Sequence, residues 1–427
     1  MTERVAIIEG IRTPFCKAGG VFKDIDADDL GAYAVKELIA RTGIHPEKID
    51  QLIFGNVMQT PKTANIARVI AVKAGLPVRI PAHTVNRNCA SGMEAISEAA
   101  EMIQLGKADV IIAGGTESMS NYPILFRRSM RDFLQNLSKA KSFKQKFFAL
   151  FSFRPSMLAP EIVEIGDPLC GLNMGQTAEI LSRELHVTRA EQDAFALASQ
   201  QRAGKAIADG RFAEEIVPVP IPPKYQSFQK VDDGVRQNTN LESLAKLNPA
   251  FDRVTGTVTA GNASQVTDGA SAVLLMSESK AKELGFKPIG YIVDFAYAGL
   301  DPSRMGLGPV YATSKVLDKT GLKLSDFDLI EINEAFAAQV LASLKAFSSD
   351  EFAKKYLGKD RALGTINQEK LNVNGGAISL GHPLGASGAR LVLTLLKELK
   401  KRNKKLGLAT LCVGGGQGGA IVVEAAS

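Results

Sequence analysis

The sequence predicts an α/β protein in which one strand–helix unit occurs twice. Apolar runs rich in β-branched residues alternate with helical patterns, which is typical of helices packed on largely parallel sheets. Because these runs are short and continuous, we expect strands that are covered on both faces. The predicted strands are residues 5–9, 51–54, 110–113, 272–276, 329–332, 408–412 and 420–423, and a helix is predicted over residues 30–42.

The duplication is predicted from a recurring order of signals. Near residue 90 the chain has Ala90-Ser91-Gly92, a helical stretch, a strand and Gly114-Gly115. About 300 residues later it has Ala386-Ser387-Gly388, a helical stretch, a strand and Gly414-Gly415. We therefore expect two copies of one α/β unit, facing each other as a pseudo-dimer within the chain.

The strand–helix alternation stops between residues 121 and 250. This stretch holds proline-rich turns and a helix start at Thr188-Arg189-Ala190-Glu191, which has the pattern of a capping box. We interpret it as an insertion lying over the first copy, since such insertions often carry substrate contacts. The predicted domains are a first half of residues 1–120 and 251–285, an inserted loop domain of residues 121–250, and a second half of residues 286–427.

Composition excludes several classes of protein. Four cysteines and four histidines are scattered along 427 residues without a Cys-x-x-Cys pair, so neither a disulfide framework nor a metal site is predicted. The formal net charge of +6 suits an anionic ligand, but without a matching motif it does not indicate nucleic-acid binding. With no signal-peptide pattern and no membrane-spanning apolar run, we expect a cytoplasmic protein with free thiols.

Cys89 is a candidate nucleophile. An extended segment, residues 82–88, leads into Cys89-Ala90-Ser91-Gly92 and then into a helical pattern. A thiol at a helix N-terminus is expected to have a lowered pKa, because the helix dipole and free N–H groups favour the thiolate. The segment alone also fits a small buried cysteine with no chemical role.

The histidines offer one candidate base. His83 lies roughly 20 Å from Cys89 if the segment between them is extended at about 3.3 Å per residue, so we interpret His83 as structural. His45 precedes a proline in a turn, and His186 lies in a polar surface stretch. His382 lies between a glycine and a proline just before the second small-residue helix start. The predicted pseudo-twofold would bring that start beside the first.

Two further segments follow predicted strands. Cys412 closes a strand and leads into the glycine-rich residues 414–419, whose backbone N–H groups can face a ligand. These residues match G-x-G-x-x-G, but no helix follows them, so we reject a dinucleotide loop, and a glycine hairpin without a ligand stays open. Asn333 follows the strand at residues 329–332, where it is either a site residue or the N-cap of a helix.

Together these residues resemble the active-site motifs of thiolases. The matching segments are Asn88-Cys89-Ala90-Ser91-Gly92, Asn333-Glu334-Ala335-Phe336, Gly381-His382-Pro383, Cys412-Val413-Gly414-Gly415-Gly416 and, as the pantetheine-contacting loop, Gly261-Asn262-Ala263-Ser264. The resemblance covers essentially the whole chain. It implies a thiolase fold, with two duplicated βαβαβαββ halves in a five-layered αβαβα core and an inserted loop domain. It also implies an acyltransferase that uses coenzyme A as a substrate and binds no permanent cofactor or metal.

The resemblance further implies a role for each residue. His382 helps to deprotonate Cys89, whose thiolate attacks the 3-oxo carbon of a 3-oxoacyl-CoA, and N–H groups of Cys89 and Gly414 hold the oxyanion. Cleavage releases acetyl-CoA as an enolate, which is stabilised by His382 and a water on Asn333 and is protonated by Cys412. A new coenzyme A then takes the acyl group. Substrate or coenzyme A contacts are expected at Ser264, Ala263 and Met174.

The subfamily pattern is mixed. Asn173 precedes Met174-Gly175 where many thiolases have histidine, and the loop domain resembles the thiolase subunit of fatty-acid oxidation complexes. That subfamily usually has histidine at the position of Asn333. We expect a 3-ketoacyl-CoA thiolase of β-oxidation, with an acetoacetyl-CoA thiolase (acetyl-CoA C-acetyltransferase) as the alternative. A 3-oxoacyl-carrier-protein synthase shares the cysteine nucleophile but has less need of Cys412.

Residues 126–154 combine basic and aromatic side chains. They are Arg127, Arg128, Arg131, Lys139, Lys141, Lys144 and Lys146, with Phe133, Phe143, Phe147, Phe148, Phe151 and Phe153. Such a stretch can lie on an anionic membrane surface, dock a partner subunit, or pack its phenylalanines on its own domain. From the resemblance we expect a homodimer or tetramer, with a hydratase–dehydrogenase subunit as a further candidate partner.

Overall fold

The computed structural model describes residues 3–161 and 166–426, so residues 1, 2, 162–165 and 427 of the predicted domains lie outside the described residues. The strands are β1 (Val5–Arg12), β2 (Cys16–Lys17), β3 (Gln51–Gly55), β4 (Ala82–Val85), β5 (Val110–Glu117), β6 (Leu125–Phe126), β7 (Pro160–Glu161), β8 (Gly166–Asp167), β9 (Leu172–Asn173), β10 (Val219–Pro220), β11 (Phe228–Gln229), β12 (Thr267–Ser277), β13 (Gly290–Gly299), β14 (Leu329–Ile332), β15 (Leu406–Val413) and β16 (Gln417–Ala425). The helices are α1 (Ala27–Thr42), α2 (Ile66–Lys73), α3 (Ser91–Gln104), α4 (Arg128–Lys139), α5 (Phe143–Leu150), α6 (Met174–Glu184), α7 (Arg189–Ala208), α8 (Leu241–Ala245), α9 (Glu278–Glu283), α10 (Gly308–Thr320), α11 (Ala337–Phe347), α12 (Asp350–Phe352), α13 (Ala377–Leu380) and α14 (Leu384–Lys401). Among these described helices, none combines the length and the apolar character needed to cross a membrane.

The sheet order reveals the duplication. Its strands run β14-β15-β16-β13-β1-β12-β5-β3-β4. β3 is parallel to β5 and β14 is parallel to β15, while each pair between them is antiparallel. The order β3-β5-β12-β1 of the first half is therefore repeated as β14-β15-β16-β13 in the second, and β1 pairs with β13 where the halves meet. The predicted duplication is confirmed, and each predicted strand and the helix at residues 30–42 occur.

The side chains that are buried together define five layers. In β5, Ile111 packs with α3 and α14, whereas Ile112 packs with α1 and α2. In β15, Leu411 packs with the same α3–α14 layer, whereas Leu408 packs with α10 and α11. Because side chains alternate across a strand, each half of the sheet has one face on the central helices and one on outer helices. The predicted αβαβα core is confirmed.

Glycines allow the two central helices to touch. A Cβ added at Gly92 of α3 would lie 2.6 Å from the carbonyl oxygen of Gly385, and one added at Gly388 of α14 would lie 2.4 Å from the backbone nitrogen of Met93. Gly92 and Gly388 are the equivalent glycines of the two Ala-Ser-Gly copies. Since Gly92 and Gly385 lie in the first turns of their helices, the two N-termini meet in the middle of the molecule.

Residues 121–250 contain α4–α8 and, among the described residues, the short strands β6–β11. Helices α6 and α7 pack against α11 and α13 of the second half, and Leu181 and Phe195 share an apolar cluster with Val340 of α11. The expectation that the insertion lies over the first copy is therefore wrong for α6 and α7. Their apolar side chains are buried against the apolar side chains of α11, which belongs to the second half. Thr188 and Glu191 form the expected capping box of α7. The domain boundaries stay a prediction.

Candidate active site

Cys89 lies between β4 and α3, immediately before the helix. The chain turns here because Asn88 has a positive φ of 44°. Ser91 closes the turn, since its Oγ accepts a hydrogen bond from Arg87 N (2.9 Å) and donates one to the Asn88 carbonyl (2.7 Å). As expected, the thiol is held at the N-terminal end of a helix, and it keeps partial access to solvent.

Burial dominates the pKa of Cys89. Desolvation raises the pKa to about 11, although the N–H groups of Gly414 and of Cys89 itself lower it by hydrogen bonding to the sulfur. The nearby Glu117 carboxylate raises the pKa further. The expected net lowering is therefore wrong, because desolvation of the thiolate outweighs the backbone donors. Two backbone N–H groups nevertheless converge on this sulfur, and one of them comes from the other half of the chain.

His382 lies in the turn between α13 and α14, where Gly381 has a φ of 101°. Its Nδ1 lies 2.6 Å from Ser387 Oγ. Since the Ser387 hydroxyl donates its one proton to the Pro383 carbonyl (3.0 Å), Nδ1 carries the imidazole proton and Nε2 is free to accept one. Burial, and then the Arg390 guanidinium, lower the pKa of His382 to about 3. The ring is therefore neutral near pH 7.

Asn333 contacts the free nitrogen of this ring. It follows β14, and its Nδ2 lies 3.3 Å from His382 Nε2. The side chain is buried, and its Oδ1 has no hydrogen-bond partner among the described residues. Of the two interpretations of this position, the helix cap is wrong, since α11 begins at Ala337 and its N-cap is Phe336. The amide is instead free to act on a group beside His382.

Cys412 joins the two halves of the site. It lies in β15, is buried, and has a pKa raised well above its ordinary value by burial and then by the neighbouring Cys89 thiol. Two residues earlier on the same strand, the Thr410 carbonyl accepts a hydrogen bond from Asn333 N (3.0 Å). Strand β15 therefore connects the Cys89–Cys412 pair with the Asn333–His382 pair, and the four predicted residues lie together.

Met174, Ala263 and Ser264 border this group. Ser264 N donates a hydrogen bond to the Ala335 carbonyl (2.9 Å), in the segment that follows Asn333. Ala263 and Met174 pack in one small apolar cluster with Cys412. The three residues are thus beside the site, and their contacts with substrate or coenzyme A stay a prediction.

The remaining histidines lie elsewhere. His83 is 2.9 Å from Gln51 Nε2 through Nδ1 and 2.8 Å from Glu98 Oε1 through Nε2, which fits the predicted structural role. His45 caps a short helical turn, and His186 is exposed. Within residues 3–161 and 166–426, no three His, Cys, Asp or Glu side chains are grouped so as to hold a metal ion.

Two family models match the chain. The model of the thiolase N-terminal domain matches residues 5–279, and that of the thiolase C-terminal domain matches residues 286–425. The chain belongs to the thiolase family. The 3-ketoacyl-CoA thiolase of Serratia proteamaculans (strain 568) is 46% identical over 99% of this chain and 97% of its own length. That of Pseudoalteromonas translucida (strain TAC 125) is 44% identical over the same shares.

Solved thiolase structures have the same fold. The Bacillus anthracis acetyl-CoA acetyltransferase has a TM-score of 0.87 and 38% identity, covering 100% of this chain and 99% of its own. The human mitochondrial 3-ketoacyl-CoA thiolase in complex with CoA has a TM-score of 0.84 and 37% identity, covering 100% of this chain and 98% of its own. The predicted thiolase family, fold and acyltransferase class are confirmed, and coenzyme A is the expected substrate of such an enzyme.

Glu117 is a buried acid of this thiolase site that was not predicted. At the end of β5, its carboxylate accepts hydrogen bonds from the backbone N–H groups of Val57 (3.1 Å), Met58 (2.9 Å) and Gly385 (2.9 Å). Burial raises the pKa of Glu117 to about 7 despite these donors. The sequence feature that could have indicated Glu117 is its position, two residues after Gly114-Gly115 at the C-terminal end of a continuous apolar strand. Ligands often bind at this end of strands in α/β folds.

Glu334, which follows Asn333 in the sequence, is a second buried acid whose role was not predicted. It accepts hydrogen bonds from Ser199 Oγ (2.6 Å), Asn372 Nδ2 (2.8 Å) and Ile378 N (3.2 Å). Ser199 belongs to α7 of the insertion, and Ile378 belongs to α13, which leads into His382. Glu334 therefore holds the segment before His382 in place without reaching the ring itself.

Proposed function

We propose that the chain is a 3-ketoacyl-CoA thiolase, which cleaves a 3-oxoacyl-CoA with coenzyme A to acetyl-CoA and a shortened acyl-CoA in β-oxidation. The observation that carries this proposal is the meeting of two thiols, Cys89 and Cys412, beside the neutral imidazole of His382 and the amide of Asn333. Acyl transfer alone needs one thiol. Carbon–carbon cleavage also needs a proton donor next to the carbanion, and a second thiol supplies it.

Acylation begins at Cys89. Nε2 of His382 takes the thiol proton, and the thiolate forms a bond to the 3-oxo carbon of the substrate. The carbonyl oxygen becomes an oxyanion, which accepts hydrogen bonds from the N–H groups of Cys89 and Gly414. Both groups lower the pKa of the Cys89 thiol by hydrogen bonding to its sulfur, so they lie close to the carbon at which the charge develops.

Cleavage follows when the oxyanion collapses and the bond between C2 and C3 breaks. The electron pair passes to the acetyl-CoA portion as an enolate, whose oxygen lies beside protonated His382 and the Asn333 amide. Cys412 gives its proton to C2, which completes acetyl-CoA and leaves the Cys412 thiolate. The raised pKa of Cys412 keeps its thiol protonated until the carbanion forms and makes the resulting thiolate a strong base for the next step.

Thiolysis restores the enzyme. The Cys412 thiolate takes the proton of an incoming coenzyme A, whose sulfur attacks the acyl carbon held on Cys89. The same two N–H groups hold the second oxyanion, and its collapse releases acyl-CoA. Cys89 then recovers its proton from His382. Met174, Ala263 and Ser264 are proposed to contact the pantetheine or acyl chain, since Met174 and Ala263 pack with Cys412 and Ser264 is hydrogen-bonded to the segment after Asn333.

Release of acetyl-CoA tests the reaction. Purified protein is mixed with a 3-oxoacyl-CoA and coenzyme A, and the products are separated and identified by mass spectrometry. We expect acetyl-CoA and a shortened acyl-CoA in equal amounts, and neither product from the Cys89→Ala control. Absence of acetyl-CoA together with a Cys89 that forms no acyl adduct would overturn the proposal.

An acetoacetyl-CoA thiolase is the second candidate. The similarity to the Bacillus anthracis acetyl-CoA acetyltransferase, with a TM-score of 0.87, supports it. A series of acetoacetyl-CoA, 3-oxooctanoyl-CoA and 3-oxohexadecanoyl-CoA separates the two, because each added methylene that enters an apolar channel contributes about 0.8 kcal/mol. Rising kcat/KM along the series supports the broader thiolase. Activity restricted to acetoacetyl-CoA supports the alternative.

We further propose that residues 126–154 rest on an anionic membrane surface. Phe133 is buried against Phe153, with ring centroids 5.4 Å apart, so these two fit packing within the domain. In contrast, Phe143, Phe148 and Phe151 are 86%, 61% and 73% exposed. Exposed aromatic rings among lysines match the interface of an anionic bilayer, where the rings enter the headgroup region and the lysines meet lipid charge.

Vesicle co-sedimentation tests the membrane proposal. We expect binding to phosphatidylserine vesicles that weakens with salt and is lost in a variant with Phe143, Phe148 and Phe151 changed to serine. Val254→Ser, at a side chain that is 90% exposed elsewhere, is the matched control. No difference between the variants would overturn the proposal. Binding of this surface to a purified hydratase–dehydrogenase subunit instead would assign it to that partner.

We also propose that the protein is a homodimer. Strand β4 is the edge of the first half and all four of its residues are partly exposed, so this edge is open to pairing with a second copy. The opposite edge, β14, is already covered by Leu371. Light scattering measures the oligomeric state.

Because the site needs two free thiols, we propose a cytoplasmic location, which cell fractionation tests.

A further inference from the structure

One peptide group of the glycine loop is held from both sides. The Gly414 carbonyl accepts a hydrogen bond from Asn88 Nδ2 (2.8 Å), and Gly415 N donates one to Asp167 Oδ2 (2.9 Å). This carbonyl and this N–H belong to the same peptide group, the one between Gly414 and Gly415. Asn88 belongs to the first half, Asp167 to residues 121–250, and the glycines to the second half, so three parts of the chain meet here.

This peptide group restricts the direction of the Gly414 N–H. Gly415 and Gly416 have φ values of 87° and 73°, a region that glycine enters freely. Glycines also have the largest conformational freedom to lose, so an unrestrained loop of this composition would sample several peptide orientations. Hydrogen bonds to the carbonyl and to the N–H of one peptide fix its plane. The Gly414 N–H belongs to the preceding peptide group, between Val413 and Gly414, and holding the following group limits rotation about the Gly414 bonds that join the two.

Both holding side chains are themselves fixed. Asp167 is 4% exposed, and its Oδ1 accepts a hydrogen bond from Leu169 N (2.8 Å) within the β8–β9 hairpin. Asn88 N donates to Asn86 Oδ1 (2.9 Å), and the Asn88 carbonyl accepts from Ser91 Oγ (2.7 Å). The two side chains therefore act as rigid supports, and the bond to the Asp167 carboxylate is of the stronger, charge-assisted kind.

We propose that Asn88 and Asp167 are positioning residues that direct the Gly414 N–H toward the oxyanion by fixing the Gly414–Gly415 peptide. This inference rests on the proposed function and adds to it a role for the inserted segment. Through Asp167, residues 121–250 take part in the chemical step and not only in contacts with the substrate. Neither side chain touches the reacting atoms.

Three substitutions weaken or remove the two supports. Asp167→Asn keeps an oxygen acceptor of the same shape and loses the charge, and Asp167→Ala removes the acceptor. Asn88→Gly removes the donor while glycine tolerates the φ of 44°. The matched control is Asp328→Ala, because Asp328 likewise accepts hydrogen bonds from two successive backbone N–H groups, those of Lys405 and Leu406, at the end of β15 away from Cys412.

Two rates of Cys89 distinguish positioning from general damage. Acylation by a 3-oxoacyl-CoA, followed by quenched mass spectrometry, needs the oxyanion donors and should fall on the order of 10- to 100-fold in Asp167→Ala and Asn88→Gly. Asp167→Asn should lie between these variants and wild type. Alkylation of Cys89 by iodoacetamide creates no oxyanion and depends on the Gly414 N–H only through the thiolate fraction, so it should fall much less than acylation does, and KM should change little.

The outcomes are separable. Unchanged acylation, or acylation and alkylation falling by the same factor, overturns the positioning role while an active wild type preserves the proposed function. An inactive wild type would instead overturn the proposed function. Because both side chains act on one peptide, the Asn88→Gly/Asp167→Asn double variant should lose less than the product of the two single losses. A loss equal to that product would overturn the shared-peptide mechanism even if one variant were destabilised.

Discussion

The Gly385 N–H donates a hydrogen bond of 2.9 Å to the carboxylate of Glu117 and so joins the two halves behind the active site. Glu117 ends β5 in the first half, which carries Cys89, and Gly385 lies in the first turn of α14, just after His382. The same carboxylate accepts hydrogen bonds from Val57 N and Met58 N. Glu117 therefore holds the half that carries Cys89 and the turn that carries His382 in one arrangement.

Glu117→Gln should weaken both the fold and the activity. The new amide NH2 faces backbone donors that bonded to the carboxylate, so buried N–H groups lose their acceptor. We expect the free energy of unfolding to fall by about 1–3 kcal/mol and kcat to fall with it. Urea unfolding and acetyl-CoA release are measured at pH 8, above the pKa of about 7. Glu98→Gln is the control, and an unaltered Glu117→Gln enzyme would contradict this role.

Cys89→Ser should abolish turnover without unfolding the protein. Serine is nearly isosteric but is a far weaker nucleophile without a stronger base, so acetyl-CoA release should fall on the order of 10³-fold or more. The free energy of unfolding should change by less than about 1.5 kcal/mol. Product analysis and urea unfolding measure the two effects. A variant that keeps a tenth of wild-type turnover would remove Cys89 from the role of nucleophile.

Cys412→Ser should separate acylation from proton transfer. The serine hydroxyl cannot serve as the acid or base of the thiol, so turnover should fall on the order of 10²- to 10⁴-fold. Cys89 should still accept some acyl group from an acyl-CoA, because that step forms no enolate. Intact-protein and peptide mass spectrometry locate the adduct. If the acyl group were found on Cys412 in the wild type, the two cysteines would have the opposite roles.

The alkylation rate of Cys89 should rise steeply with pH. Its pKa is raised to about 11, so the reactive thiolate fraction grows about tenfold for each pH unit between pH 7 and pH 10. Iodoacetamide labelling quantified by peptide mass spectrometry measures the rate, and the partly exposed Cys170 checks the reagent in the same sample. A plateau already reached near pH 7 would show that the thiol is ionised there and that burial does not dominate.

His382 should make the fold sensitive to acid. Its pKa is lowered from 6.5 to about 3, so below pH 6.5 the unfolded chain binds a proton that the folded protein excludes. The stabilising contribution is present above pH 6.5 and declines as pH falls, by up to about 1.4 kcal/mol per pH unit. Urea unfolding of wild type and His382→Asn between pH 6.5 and pH 4.5 measures it. A constant difference between the two proteins would contradict the lowered pKa.

The repeated unit and the positions of the candidate site residues were predictable because both depend on local patterns. Gly92 and Gly388 were visible as matching glycines of two Ala-Ser-Gly segments, and in the structure they allow α3 and α14 to touch. Cys89, His382 and Cys412 each stand at the end of a predicted strand or the start of a helix. Such positions follow from periodicity and small residues within about ten positions of the chain.

The residues that hold the site were not predictable in this way. Glu117 accepts a hydrogen bond from Gly385, and Asp167 accepts one from Gly415, although each pair is more than 200 residues apart in the sequence. No pattern in the neighbouring residues shows that a carboxylate will accept a hydrogen bond from a backbone group so far along the chain. The insertion was expected over the first copy, but α6 and α7 pack on α11. Which apolar face an insertion covers depends on the shape of surfaces formed by separate parts of the chain.

The sequence by itself determined that Cys89 precedes a helix and that the unit is duplicated, whereas the grouping of Cys89, His382 and Cys412 in one reaction followed from the thiolase resemblance and stays a prediction. Only the tertiary structure decided that the pKa of Cys89 is raised, that Nε2 of His382 is the free nitrogen, and that the Gly414 N–H points at the sulfur. The helix start is a local feature of the chain. Desolvation and hydrogen-bond direction are properties of everything packed around a group, so they exist only once the halves and the insertion have come together.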